Sequence, residues 1–360
     1  MQPNFHVMET VLRRAGEPDR VPLYEHFVDG EVVEAIMGFS LHDASLSPAE
    51  DERACWRKLI RFYTEMGYDY LPMEIAPNFA QRGTLQSDDT AIYSRGQRGW
   101  VDEHNGPIQT WDDLRNPGNW PSADAMGNFN LFTDVCAMLP AGMKIIGGFS
   151  GGPFEHASFL MGLEPLSMVV YEDPEFAECL FTQIGERLVE GARRLVQLDG
   201  IGAYRFGDDL GYKMATMFSP EMLRTYVFPW YRKVVEVVHA AGKPFVLHSC
   251  GQLAAVMDDI IGCGVDAKHS FEDVIMPVTE AKARWGERIT LLGGIDVHFF
   301  CTADEAAIKD RTRATLDSCA RGGGYAIGSG NTIANYIPVC NYLAMLDAVR
   351  EWNGVTASSK

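Results

Sequence analysis

No stretch of this chain approaches the ~18 uninterrupted apolar residues that a membrane-spanning helix requires. The opening segment, MQPNFHVMETVLRRAGEPDR, lacks the apolar core of a secretory signal, so a cytoplasmic location is expected. Positive charge is scarce: 31 lysines and arginines stand against 49 aspartates and glutamates, a net charge of −18. Phosphates would be repelled, which argues against nucleic acid and anionic membranes as partners. A small anionic ligand is still allowed, because a local site can invert the global sign. None of the eight cysteines forms a Cys-x-x-Cys pair, which removes four-cysteine zinc sites. Scattered through 360 residues, they suit a reducing compartment rather than a disulfide framework. No low-complexity tract or linker splits the chain, and no Gly-x-Gly-x-x-Gly follows the first apolar run, which weakens a dinucleotide-binding reading.

What the chain does have is alternation. Short apolar runs suited to buried parallel strands occur at 21–27, 69–75, 143–149, 200–206, 244–248, 264–269, 289–295 and 323–328. Most of the gaps between them carry amphipathic helical patterns. One such helix is expected to open with a Thr-x-x-Glu capping box at Thr302 and Glu305. Eight strands separated by helices predict an α/β fold, a (β/α)8 TIM barrel, as a single domain over residues 1–360. An open doubly wound sheet is the alternative. The stretch 76–130, rich in Gly, Pro, Asn and Trp, reads as an irregular excursion with a hairpin near the C-terminal mouth.

In such a barrel, chemistry is built at the C-terminal ends of the strands. Those ends carry Tyr24 and His26, then Glu74, Glu155, Asp208 with Asp209, His248 with Cys250, His269 with Glu272, Asp296, and Asn331. Turn formers such as Asp and Gly are ordinary there, but His, Cys and Glu are not. The run VLHSCGQ places His248 and Cys250 at i and i+2, on one side of a strand. They either pack quietly or hold a metal, and imidazole with thiolate suits zinc. Two ligands are too few, so neighbouring carboxylates, Glu272 and Glu155 foremost, are expected to complete the shell. Asp208 and Asp209 read equally well as a loop that caps the next helix.

Several motifs resemble those of a known family. They are RVPLYEH (20–26), GGFSGGPFEHASFLMG (147–162), FGDDLGYKMATMFSPEMLRTYVFPWYRKVV (206–235), GKPFVLHSCGQL (242–253), LLGGIDV (291–297) and GGYAIGSGNTIANYIPVC (323–340). Together they resemble the uroporphyrinogen decarboxylase superfamily, in its cobalamin-dependent methyltransferase-like branch, over almost the whole chain. The resemblance implies a zinc held by His248 and Cys250, and a methyl group exchanged with a corrinoid, methylcobalamin, carried by a partner protein. It implies Asp208, Asp209 and Glu155 as catalytic candidates. Tyr24, His26, Glu74, His269, Asp296 and Asn331 become substrate-binding candidates. The thiol methyltransferases of that branch carry a further cysteine in the glycine-rich turn after the last strand, where this chain has Asn331. The decarboxylases carry arginines after the first strand, where this chain has YEHFVDGE. A harder His/Cys/carboxylate site favours an oxygen-bearing, O-methyl substrate over a thiol. Two alternatives remain open: a metal-free lyase, and a non-catalytic tetrapyrrole or corrinoid binder. A homodimer also stays open.

Overall fold

Alternating apolar runs and amphipathic helices give a parallel sheet whose neighbours in sequence are neighbours in space. The structure, a computed structural model, describes residues 2–80, 84–94, 96–101 and 106–354. The strands are β1 (Tyr70–Ile75), β2 (Thr84–Asp88), β3 (Gln97–Val101), β4 (Lys144–Phe149), β5 (Ile201–Gly207), β6 (Phe245–His248), β7 (Ala267–His269), β8 (Thr290–Leu292) and β9 (Tyr325–Ala326). Seven of them form one curled parallel sheet in the order β1-β4-β5-β6-β7-β8-β9. Parallel neighbours need crossovers, and helices supply them. The helix Pro174–Leu195 shows why they form: Asp173 accepts from the Phe176 amide at 3.0 Å, proline opens the first turn, and Arg193 and Arg194 close the last. Its stripe of Phe176, Leu180, Ile184 and Leu188 is buried, and truncating Leu188 to alanine would cost about 2–5 kcal/mol.

The run 21–27, expected as a first strand, is not one. Only isolated parallel bridges, Leu23 to Ile327 and Val28 to Ile333, tie it to the end of the sheet at β9. Two causes are visible. Pro22 has no amide to donate. Further on, the Tyr70 hydroxyl accepts from the Glu25 amide at 2.8 Å and donates to the Glu25 carbonyl at 2.6 Å, taking groups that a ladder with β1 would use. On the β9 side the approach is close: a Cβ at Gly328 would lie 1.6 Å from the Tyr24 carbonyl, so only glycine fits.

The helix after β8 also differs from expectation. Asp304 caps Glu305–Cys319, accepting from the Ala307 amide at 2.8 Å, while the Thr302 hydroxyl turns back to the His298 carbonyl at 2.9 Å. Asp304 sits one residue before the helix, and aspartate is the stronger capping residue of the two. The excursion does contain a hairpin, β2 with β3. Its loop reaches the chain beyond β9, where Asn335 donates to Asp89 at 3.1 Å. Residues 81–83, 95 and 102–105 of the excursion lie outside the described residues. No helix among the described residues is long and apolar enough to cross a membrane.

Candidate metal centre at the strand ends

Register places the site. His248 at the end of β6 pairs with Gly207 on β5 and with His269 on β7, so Asp208, Asp209 and Cys250 all follow immediately beyond the same edge. Cys250 Sγ lies 3.5 Å from His248 Nε2, and Asp209 Oδ1 lies 3.8 Å from the same nitrogen. The Cys250 amide donates to Asp209 Oδ1 at 2.8 Å, which holds the carboxylate over the pair. One ligand atom from each of Asp209, His248 and Cys250 lies within 4.8 Å of the others. Asp209 is the carboxylate of this group, His26, His248 and His269 form a second one, and neither group includes Glu272. Glu272 instead sits half-buried in a cleft wall, where burial and Asp296 raise its carboxyl pKa.

Burial keeps His248 and Cys250 neutral. It lowers His248 well below the usual imidazole range, with His269 and Arg205 adding to the effect. It pushes the Cys250 thiol up to about 12, helped by the Asp209 charge. A neutral imidazole is what a metal ligand must be, and a bound cation would reverse the penalty on the thiolate. The Asp209 side chain remains 44% exposed, so one side of the cluster is open. Imidazole, thiol and carboxylate on three sides of an open position fit a catalytic zinc.

The other candidates are placed as follows. Asn331 Nδ2 donates to Cys250 Sγ at 3.3 Å, so it reaches the cluster, as a donor to the sulfur. His269 touches His248, Nδ1 to Nδ1, at 2.8 Å, and burial lowers its pKa to about 3. The His26 ring stacks on His248 at 3.9 Å. Glu155 is buried beside the loop, accepts from the Asp209 amide, and is raised well above its ordinary range by burial and then by Asp209 and Asp208. Asp208 lies beneath the cluster. It accepts from the Phe154 amide at 3.2 Å, the Glu155 amide at 2.7 Å and Tyr231 Oη at 3.0 Å, fixing the start of Pro153–Met161. Burial still pushes it up to about 7. Asp296 caps Val297–Thr302 through the Phe299 amide at 3.1 Å and also accepts from Asp273. Glu74 pairs with Arg205 at 2.6 Å, and Tyr24 Oη lies 3.4 Å from the same guanidinium.

Arg205 and Lys268 were not expected. Arg205 is fully buried, and its inward parity on β5 among apolar neighbours was a readable signal. Its Nη2 and His26 Nδ1 are buried without a protein partner. Lys268 is buried, donates to the Ser270 carbonyl, and is lowered to about 8 by burial. Beside the cluster, and reaching it through His26 and Asn331, lies a cleft of about 690 Å3 whose lining also includes Phe27, Arg98, Glu272 and His298.

A His/Cys pair at the strand ends of a parallel sheet, next to such a cleft, narrows the families to consider. The family model described as uroporphyrinogen decarboxylase (URO-D) matches residues 103–352, and the chain belongs to this family. It is 27% identical over 207 residues to a uroporphyrinogen decarboxylase of Anaeromyxobacter dehalogenans, covering 56% of this chain and 57% of that one. It is 25% identical over 210 residues to the methylcobamide:CoM methyltransferase MtaA of Methanosarcina barkeri, covering 58% and 59% respectively. These matches span less than three fifths of the curated relatives' own length. In structure, it is similar to a methyltransferase from Methanosarcina mazei, with a TM-score of 0.72 and 17% identity over 98% of this chain and 99% of that one. The fold is therefore shared end to end.

Proposed function

We propose that the chain is a corrinoid-dependent methyltransferase. It moves a methyl group between a small O-methyl substrate and a corrinoid carried by a partner protein, in the cytoplasm. We read its sheet, with the segment 21–28 at the β1–β9 gap, as a single (β/α)8 barrel domain bearing the 76–130 excursion. The observation that carries the functional reading is the convergence of Asp209, His248 and Cys250, whose neighbours His26 and Asn331 line an open cleft. Zinc would be held by these three and would supply Lewis acidity to a substrate oxygen.

The chain's own groups define the rest. His248 offers a neutral nitrogen, because burial disfavours its protonation. Cys250 offers sulfur whose charge the Asn331 amide disperses by donating to it. Asn331 also occupies the turn where a second soft ligand would sit, so the site is harder and suits oxygen better than sulfur. Glu155 keeps its proton beside Asp209 and is the group able to donate it to a leaving alkoxide. His26 and Asn331, at the inner end of the cleft, meet the substrate. Arg205 is already paired with Glu74, so this guanidinium is not free to grip a polycarboxylate.

Metal-free decarboxylation is the second reading, favoured by the decarboxylase among the relatives. Elemental analysis separates the two. The wild type, incubated with zinc and desalted, is expected to retain near-stoichiometric metal, and His248→Ala and Cys250→Ser to lose it while keeping their circular dichroism. Equal zinc in all three, or none in any, would overturn the methyltransferase reading.

A further inference from the structure

His269 does not reach the sulfur, but it touches the imidazole that does. Its Nε2 lies 3.1 Å from the Ser329 carbonyl oxygen. A carbonyl only accepts, so Nε2 carries the proton. The neutral ring then presents a bare lone pair at Nδ1, 2.8 Å from His248 Nδ1. That contact is a hydrogen bond only if His248 donates. His248 Nε2 is thereby left without a proton, facing Cys250 Sγ at 3.5 Å and Asp209 Oδ1 at 3.8 Å. We propose that Ser329 and His269 form a positioning relay that locks His248 in its Nδ1–H tautomer and aims the Nε2 lone pair at the ligand cluster.

The surroundings are built to hold this relay. The Ser329 amide donates to Glu25 Oε1 at 2.8 Å, and its hydroxyl bonds the other carboxyl oxygen, so the carbonyl cannot swing away. Gly293, at φ +78°, leaves the space: a Cβ there would lie 2.1 Å from the Ser329 oxygen and 2.9 Å from His269 Nε2. Tyr24 lies against His269 with ring centroids 5.2 Å apart, and His26 stacks on His248. Both imidazoles are thus fixed in plane as well as in hydrogen bonding. Such outer partners set which nitrogen of a histidine binds metal. The tautomer follows from the protein alone, whereas its use as a metal ligand rests on the zinc reading above.

The test uses the metal-free full chain with nitrogen-labelled histidine rings. Proton–nitrogen correlation spectra should show His248 protonated at Nδ1 in the wild type. His269→Asn, whose Oδ1 can replace the accepting nitrogen, should keep that signature. His269→Leu should lose it. Zinc competition against a chromophoric chelator should then find affinity weakened about 10- to 100-fold in His269→Leu and only a few-fold in His269→Asn. A wild-type His248 protonated at Nε2, or a tautomer unchanged in His269→Leu, overturns the relay. If His269→Leu fails to fold, the wild-type and His269→Asn spectra decide. The predicted tautomer with no zinc bound by the wild type upholds the relay and overturns the zinc reading instead.

Discussion

Two clusters of buried polar groups lie one below the other inside the sheet, and they are built in opposite ways. The deeper one is mostly paired within itself, with Arg205 Nη2 the exception. Glu74 meets Arg205, Tyr24 and the His26 carbonyl meet the same guanidinium, and Glu25 meets Ser329. The upper one, Asp209, His248 and Cys250, brings three electron-pair donors together, and the buried Lys268 acts on Cys250 and Asp209 through its charge rather than through an ion pair among the described residues. Charges are compensated in the first and withheld in the second. A buried group compensated by its neighbours holds the fold, whereas uncompensated donors at an open mouth await a ligand. The first cluster should therefore be sensitive to deletion and the second tolerant of it.

The largest expected effect falls on the deeper cluster. Arg205→Met leaves the Glu74 carboxylate buried without its partner and should cost about 3–5 kcal/mol. Urea unfolding of the variant measures it. Removing both charges, in Arg205→Met with Glu74→Met, should restore much of the loss. By contrast, Cys250→Ser should move the metal-free midpoint little. If Cys250→Ser proves as costly as Arg205→Met, the division between the two clusters is wrong.

Next comes the response to zinc. A ligand that binds only the folded chain adds about 2.7 kcal/mol at a hundred times its dissociation constant. The wild-type unfolding midpoint should rise accordingly with added zinc, while that of Cys250→Ser stays put. A rise of the same size in both would place the metal elsewhere. Smaller again is the effect of completing the soft ligand set. Asn331 already points at Cys250 Sγ from 3.3 Å, so Asn331→Cys should tighten zinc binding on the order of tenfold or more. Unchanged or weaker binding would mean that the asparagine itself contributes to holding the metal.

Much of this arrangement was legible in the sequence because it follows period and position. His248 and Cys250 share a strand face by their spacing alone, and a strand end is where a site would be expected. That Asp209 rather than Glu272 stands beside the pair was not legible. Both follow strand ends, and a loop bond from the Cys250 amide decides which carboxylate swings over the pair. Spacing cannot report that bond. The run 21–27 has a strand's composition, yet a hydroxyl from Tyr70, far along the chain, takes its backbone groups. Arg205 was readable by parity, but its partner Glu74 lies 131 residues away in sequence. Local pattern determined most of the elements, and long-range hydrogen bonds decided the exception at 21–27 and the roles of the site residues.

The last contrast concerns a proton within the deeper cluster. Glu25 is fully buried, and desolvation lifts its carboxyl from 4.5 to about 8 against the opposing bonds from Ser329. An acid raised in the folded state favours folding while it is protonated. Its contribution is fully present below about 4.5 and is lost as pH rises toward about 8. Glu25→Gln keeps the shape and the link to Ser329 but cannot ionise, so it lacks this dependence. The stability of the wild type relative to Glu25→Gln should therefore fall as pH increases, by at most about 1.4 kcal/mol per unit. Other titrating groups, including Asp208 and the histidines, cancel in the difference between the two proteins. Unfolding curves at pH 5, 6, 7 and 8 measure it. Parallel pH profiles would mean that Glu25 is ionised in the folded chain, with the Ser329 bonds outweighing burial. Glu25 would then be a buried anion held by hydrogen bonds alone, and the deeper cluster would no longer be self-neutralising.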